Sequence, residues 1–134
     1  TSQQGQTERQ ETLVRWCSPP TGWIVLNTDG ASKGNPGRAG GGGVIRGDRG
    51  EWICGFSESM GICTSMKAEI KAVLRGLRIA RSLAVTKLWV QVDSLSLTGL
   101  LKGDFQACVE HAPLLHQCRA IINHEGWEVL ISHC

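Results

Sequence analysis

A chain of 134 residues and 14.5 kDa is long enough for one domain with a real core and too short for two. A formal charge of +2 does not by itself announce a nucleic-acid partner, so any anionic ligand has to be argued from a local site. The six cysteines are scattered, with no CxxC pair and no neighbouring His at metal-ligand spacing. They are therefore expected to be mostly reduced, buried apolar residues of a reducing intracellular compartment. No basic–apolar leader and no apolar run of membrane-spanning length is present, and a monomer without membrane attachment is expected.

Residues 1–15 are polar without apolar periodicity and predict a flexible tail, which leaves 16–134 as the folded unit. "GWIVLNTDG" reads as a buried strand ending at Asp29 and Gly30, followed by a Gly/Asn/Pro turn. "GGGGVIRGDRGEWICGFSE" reads as two further strands joined at "GDRG", giving an antiparallel meander. From Thr64 the apolar residues Met66, Ile70, Val73, Leu74, Leu77 and Ala80 recur at helical spacing. Between them stand Lys67, Lys71, Arg75, Arg78 and Arg81, a pattern that predicts an amphipathic helix whose basic face is solvated, with Thr64 or Ser65 as its N-cap.

"TKLWVQVDS" is a fourth strand ending at Asp93, and Ser94 opens a short helix through about Leu101. A third helix over 109–123 and a fifth strand in "GWEVLIS" complete the order β-β-β-α-β-α-α-β. The fold class is α/β, a mixed five-stranded sheet with helices on its faces. Trp23, Trp52, Trp89 and Trp127 fall in strands and are expected to fill the core.

Three acids stand out by position. A right-handed crossover sets the fourth strand beside the first and makes Asp29 and Asp93 neighbours at one sheet edge. Glu69 lies among Met66, Ile70 and Val73 rather than on the basic face, so its economical use is to join the two aspartates. Three clustered carboxylates raise each other's pKa, and a hard divalent cation, Mg²⁺ or Mn²⁺, relieves that cost. Two such ions about 4 Å apart form a clamp for phosphodiester hydrolysis. The glycines behind Asp29 are expected to let a nucleic-acid backbone come close. "GRAGGGG" lacks GK[ST] and enters a strand, which excludes a phosphate-binding loop.

"TDGASKGNPG", "AE" on the first helix and "VDS" after the fourth strand resemble ribonuclease H of type 1. The lead-in of Trp16, Pro19, Pro20 and Trp23 before "LNTDGA" is similar to the RNase H-like domains of plant retroelement polyproteins. The resemblance covers about 16–133. It implies an RNase H-like fold and a Mg²⁺-dependent endoribonuclease that cuts the RNA strand of RNA–DNA hybrids, with Mn²⁺ as substitute and other polyprotein domains as partners. It gives Asp29, Glu69 and Asp93 the catalytic, metal-holding role and Asn35 a contact in the hybrid's minor groove. Gly30, Ala31 and Ser32 would lie near the scissile strand, with Ser65 where the family often carries an amide. His133 occupies the place of an auxiliary histidine.

The departures are specific. The family adds a fourth acid on a C-terminal helix, whereas this sequence ends at "ISHC". Ser65 and Met66 replace a pair of amides, Leu95 replaces a glutamine, and no basic handle lies between Leu101 and Val109. A non-catalytic nucleic-acid-binding module and an inactive retroelement fragment therefore stand as alternatives.

Overall fold

The computed structural model describes residues 19–104 and 106–133, so the expected tail over 1–15, together with Trp16, Cys17 and Cys134, lies outside the described residues. Strands β1 (Ile24–Gly34), β2 (Gly37–Arg46) and β3 (Trp52–Cys63) form the meander. Helix α1 (Ser65–Ser82) crosses to β4 (Lys87–Val92), and α2 (Leu95–Lys102) and α3 (Ala112–Ile122) precede β5 (Glu128–His133). The sheet order is β3-β2-β1-β4-β5. β1 is antiparallel to β2 and parallel to β4, so it is the seam between the two halves of the sheet.

Local chemistry explains the element ends. The Thr64 hydroxyl accepts the Lys67 N–H at 3.2 Å and starts α1; the Ser94 hydroxyl accepts the Leu97 N–H at 3.1 Å and starts α2. Gly103, in the left-handed region at φ 80°, ends α2. α3 begins at Ala112, three residues later than its apolar pattern suggests, because 108–111 form a turn and proline stands in its first turn.

The sequence reading ended the first strand at Asp29 and Gly30. β1 instead continues to Gly34, paired residue for residue with β2 until Gly34 meets Gly37 across the Asn35–Pro36 turn. Asp29 therefore sits in mid-strand. The continuation is possible because each position from Asp29 onward has a β2 partner, Gly42 and Gly41 at the start, to take its backbone hydrogen bonds.

One face of α1 lies on the sheet. Leu26, Ile45, Leu88 and Val90 from the strands meet Ile70, Val73 and Leu77 from the helix, all fully buried. Each contributes about 1.5–3 kcal/mol by leaving water. Leu115 and Cys118 of α3 close the far side, and burial pushes the Cys118 thiol up to about 12, so it stays a neutral packing group. Cys63 is likewise buried, but Cys54 is half-buried and Cys108 exposed, so the expectation of buried cysteines holds for two of the four described.

The tryptophans depart further from expectation. Trp52 is 67% exposed because it opens β3, which has no neighbouring strand on one side among the described residues. Trp23 and Trp127 precede their strands and are half-buried; Trp127 donates to the Ile121 carbonyl at 3.0 Å and carries the Arg81 guanidinium 5.1 Å above its ring. Trp89, inside β4, turns inward in part and donates to the Ser132 hydroxyl at 2.6 Å. The basic face of α1 is also partnered, with Lys71 on the Met60 carbonyl, Arg75 on Glu58, Arg78 on Gln117 and Arg81 against His124.

At Gly30 the backbone of α1 comes up against the sheet. A Cβ there would lie 2.5 Å from the Ala68 carbonyl oxygen and 2.8 Å from the Glu69 nitrogen, backbone atoms of α1 that cannot rotate away. Gly30→Ala is expected to destabilise the fold by about 1–3 kcal/mol. An unchanged urea midpoint would show that α1 does not approach this closely.

Candidate active site

The last pair in the parallel register of β1 with β4 is Asn27↔Gln91. Asp29 and Asp93 each stand two residues beyond it, so the two acids project from neighbouring strands just where those strands part. Beneath them the Asn27 amide donates to the buried Gln91 side chain at 3.1 Å, which ties the strands together at the base of the fork. Asp29 and Asp93 are exposed, and Glu69 is half-buried on the first full turn of α1. The sequence-predicted trio is thus brought together from three elements.

Electrostatics records the proximity. Burial raises the Glu69 pKa above its ordinary value, and the charges of Asp93 and then Asp29 raise it further. One Glu69 carboxylate oxygen, Oε1, is buried without a hydrogen-bond partner. A buried, partnerless carboxylate oxygen facing two more acids is a set that accepts a hard cation, since oxygen-only donors suit Mg²⁺ and Mn²⁺. The donor atoms of this trio are nevertheless spread beyond 4.8 Å, as mutually repelling carboxylates are.

The other predicted residues gather at the mouth of the same cleft, and several are engaged with one another. Asn35 Oδ1 accepts the Ser65 N–H at 3.0 Å, and the Ser32 and Ser65 hydroxyls lie 3.0 Å apart. The hairpin tip is therefore pinned to the N-terminus of α1, the helix that carries Glu69. Ala31 and Asn35 are exposed; Gly30 is buried under α1, and its missing side chain makes room for the helix. Gly41 and Gly43 follow the same rule, since Cβ atoms there would meet Met60 and the Phe56 ring. His133 pairs with Val92, one residue before Asp93, which places it at this same end of the sheet.

A groove of about 530 Å³ runs past Asp29 along Gly30, Ala31 and Gly40–Val44. It is adjoined by a second of about 430 Å³ bordered by Lys33 and Arg38, which pair across the hairpin. The sequence analysis does not single out these two cations, although they stand in the sequence as basic residues flanking the "GNPG" turn. It also found no His near a Cys at metal-ligand spacing, yet Cys108 and His111 stand three apart with Glu110 between them, and their donor atoms lie within 4.8 Å of one another.

An acid-tipped fork between the first and fourth strands of a 3-2-1-4-5 sheet, with a third acid on the crossover helix, is the architecture of a ribonuclease H-type domain. Solved structures bear this out at the level of the fold. The RNase H1 of Halobacterium salinarum superposes with a TM-score of 0.78 at 24% identity, covering 84% of this chain and 85% of that one. LC11-RNase H1, solved in complex with an RNA/DNA hybrid, gives 0.77 at 23%, covering 83% and 84%.

The chain belongs to the reverse transcriptase-like family, whose model matches residues 27–134. A protein of Arabidopsis thaliana that bears the name "Putative ribonuclease H protein" is 38% identical over 125 residues. That match takes in 93% of this chain but only 20% of the relative, so the chain spans about a fifth of that protein's length.

Two outcomes follow from this geometry. The native state holds the Glu69 proton more tightly than the unfolded chain, so the ionised group lowers stability as pH rises above 4.5, its ordinary value. In metal-free buffer, Glu69→Gln is expected to raise Tm at neutral pH and to leave it unchanged below 4.5, where both states are protonated; equal Tm values at both would mean that no repulsion is stored. Asn35→Ala, which frees the Ser65 N–H, is expected to cost about 0.5–2 kcal/mol in urea unfolding.

Proposed function

We propose that this domain is an endoribonuclease that hydrolyses the RNA strand of RNA–DNA hybrids with Mg²⁺ or Mn²⁺ held by Asp29, Glu69 and Asp93. The observation that carries the reading is the convergence of three acids from β1, α1 and the end of β4, one of them with a buried, partnerless oxygen. A pair of such cations, when bound, supplies the activated water and the charge stabilisation that phosphodiester hydrolysis needs. The chain's own residues hold and orient the rest. Asp29 would be the ligand shared by the two cations, with Glu69 and Asp93 each holding one, and the Asn27–Gln91 bond ties the two strands together beneath them. The structural relative solved with an RNA/DNA hybrid supports the substrate class through the shared fold.

The grooves beside Asp29 suit a nucleic-acid backbone, with Lys33 and Arg38 as phosphate contacts and Ala31, Ser32 and Asn35 along the same wall. Ser65 contributes its hydroxyl beside Ser32. His133 would be an auxiliary group at this end of the sheet, a reading supported by its pairing with Val92, one residue before Asp93. Because the chain spans about a fifth of its plant relative, we infer that it works as one domain of a larger polypeptide of the retroelement type.

The test is cleavage of an end-labelled RNA–DNA hybrid in Mg²⁺ and in Mn²⁺. Asp29→Asn is expected to lower the rate by at least about 100-fold, the loss of some 3 kcal/mol of transition-state stabilisation, while circular dichroism stays unchanged. Full activity in Asp29→Asn would overturn the assignment. Hybrid binding by the parent chain without cleavage would instead mark a non-catalytic module.

A further inference from the structure

We propose that Cys108, Glu110 and His111 form a second cation site, chemically distinct from the carboxylate cluster and suited to Zn²⁺. The three residues lie in the segment between α2 and α3 and close at the first turn of α3. The His111 and Ala112 N–H groups both donate to the Cys108 carbonyl at 3.1 Å, so the backbone is already folded into one tight turn. That turn carries a thiol, a carboxylate and an imidazole whose donor atoms all lie within 4.8 Å of one another.

Zn²⁺ binds such donors at about 2.0–2.3 Å, which puts neighbouring ligand atoms about 3.5 Å apart in a tetrahedron.

Two further observations point to a ligand here. The Nδ1 atom of His111 is buried without a hydrogen-bond partner, although a buried imidazole nitrogen ordinarily finds one. His111 is also the N-cap of α3 and makes no side-chain capping bond, so its ring is not explained by the helix. The thiol of Cys108 is free and exposed and Glu110 is exposed, which gives an ion an entry path and leaves a fourth position to water.

Donor chemistry decides which ion. Sulfur and nitrogen select Zn²⁺ and neighbouring borderline metals, whereas the all-oxygen cluster at Asp29, Glu69 and Asp93 suits Mg²⁺ and Mn²⁺. On binding, a bond forms between the metal and the Cys108 sulfur, and the thiol proton passes to solvent. The consequence is structural: the ion fastens the 108–111 turn to the start of α3, which otherwise has no side-chain cap.

The experiment is titration of the whole chain with Zn²⁺ against a chromophoric chelator in a large excess of Mg²⁺, repeated with Co²⁺ to read thiolate-to-metal absorption. One ion per chain is expected. Cys108→Ser and His111→Ala should each weaken binding at least about tenfold, and Asp29→Asn should not alter it. In the parent chain, Zn²⁺ should also slow alkylation of Cys108, read by mass spectrometry, an observation that does not depend on how the variants fold. Absence of Zn²⁺ binding, undiminished binding in both Cys108→Ser and His111→Ala, or loss of binding in Asp29→Asn would each overturn the proposal.

Discussion

The approach of α1 to β1 at Gly30 is the constraint on which the rest depends. The helix backbone comes within a distance that no side chain allows, 2.5 Å from where a Cβ would stand, and the atoms in contact are those of Ala68 and Glu69 themselves. The same contact that seals the core therefore sets the third acid beside the strand that carries the first. Gly76 repeats the device farther along α1, where a Cβ would run into the Leu26 side chain, so the helix lies flat on β1 over several turns. A helix standing farther off would keep its apolar face buried by larger side chains, but Glu69 would then be too distant to feel the two aspartates.

That arrangement stores unfavourable energy. Glu69 is desolvated and faces two like charges, and its Oε1 has no compensating donor. A domain organised only for stability would replace this acid with an apolar residue continuous with Ala68 and Ile70, both fully buried. The strain persists because the surrounding packing over-determines the position: Thr64 caps the helix, Asn35 holds the Ser65 N–H, and Ser32 meets Ser65. Fixing charges before a cation arrives spares the reorganisation that would otherwise accompany binding, the general logic of preorganised electrostatic sites.

Much of this was legible in the sequence because period and punctuation agreed. The spacing of Ile70, Val73 and Leu77 gave α1, and Ser94 and Gly103 bracketed α2; the two acids closing "NTD" and "QVD" marked strands that the crossover rule makes neighbours. What escaped was whatever depends on a partner strand or a distant backbone. The length of β1 beyond Asp29 is set by its pairing with β2, which no local pattern in "GASKG" announces. Trp52 reads as core because it falls in a strand, and only the sheet order sets that strand at an edge of the described sheet. The glycine run lines the groove beside Asp29, and no local pattern shows that Gly30, Gly41 and Gly43 also make room for the chain itself. Nor does any local pattern announce that the Asn35 side-chain oxygen accepts a helix N–H thirty residues away.

The topology also accounts for why the acids sit at this point of the sheet and nowhere else. β1 is the only strand with an antiparallel neighbour on one side and a parallel neighbour on the other among those described. Its antiparallel partner continues to the hairpin tip, while its parallel partner stops at Val92 and turns into α2. Beyond Asn27 one edge of β1 is therefore released, and a residue there can carry a charge into solvent while its backbone stays fixed by β2. Asp29 occupies that released edge, Asp93 ends the strand whose departure creates it, and α1 must pass over the seam to connect the two halves. The seam thus brings a rigid strand, a strand end and a helix into one place, which is what a site with three acids from three elements requires.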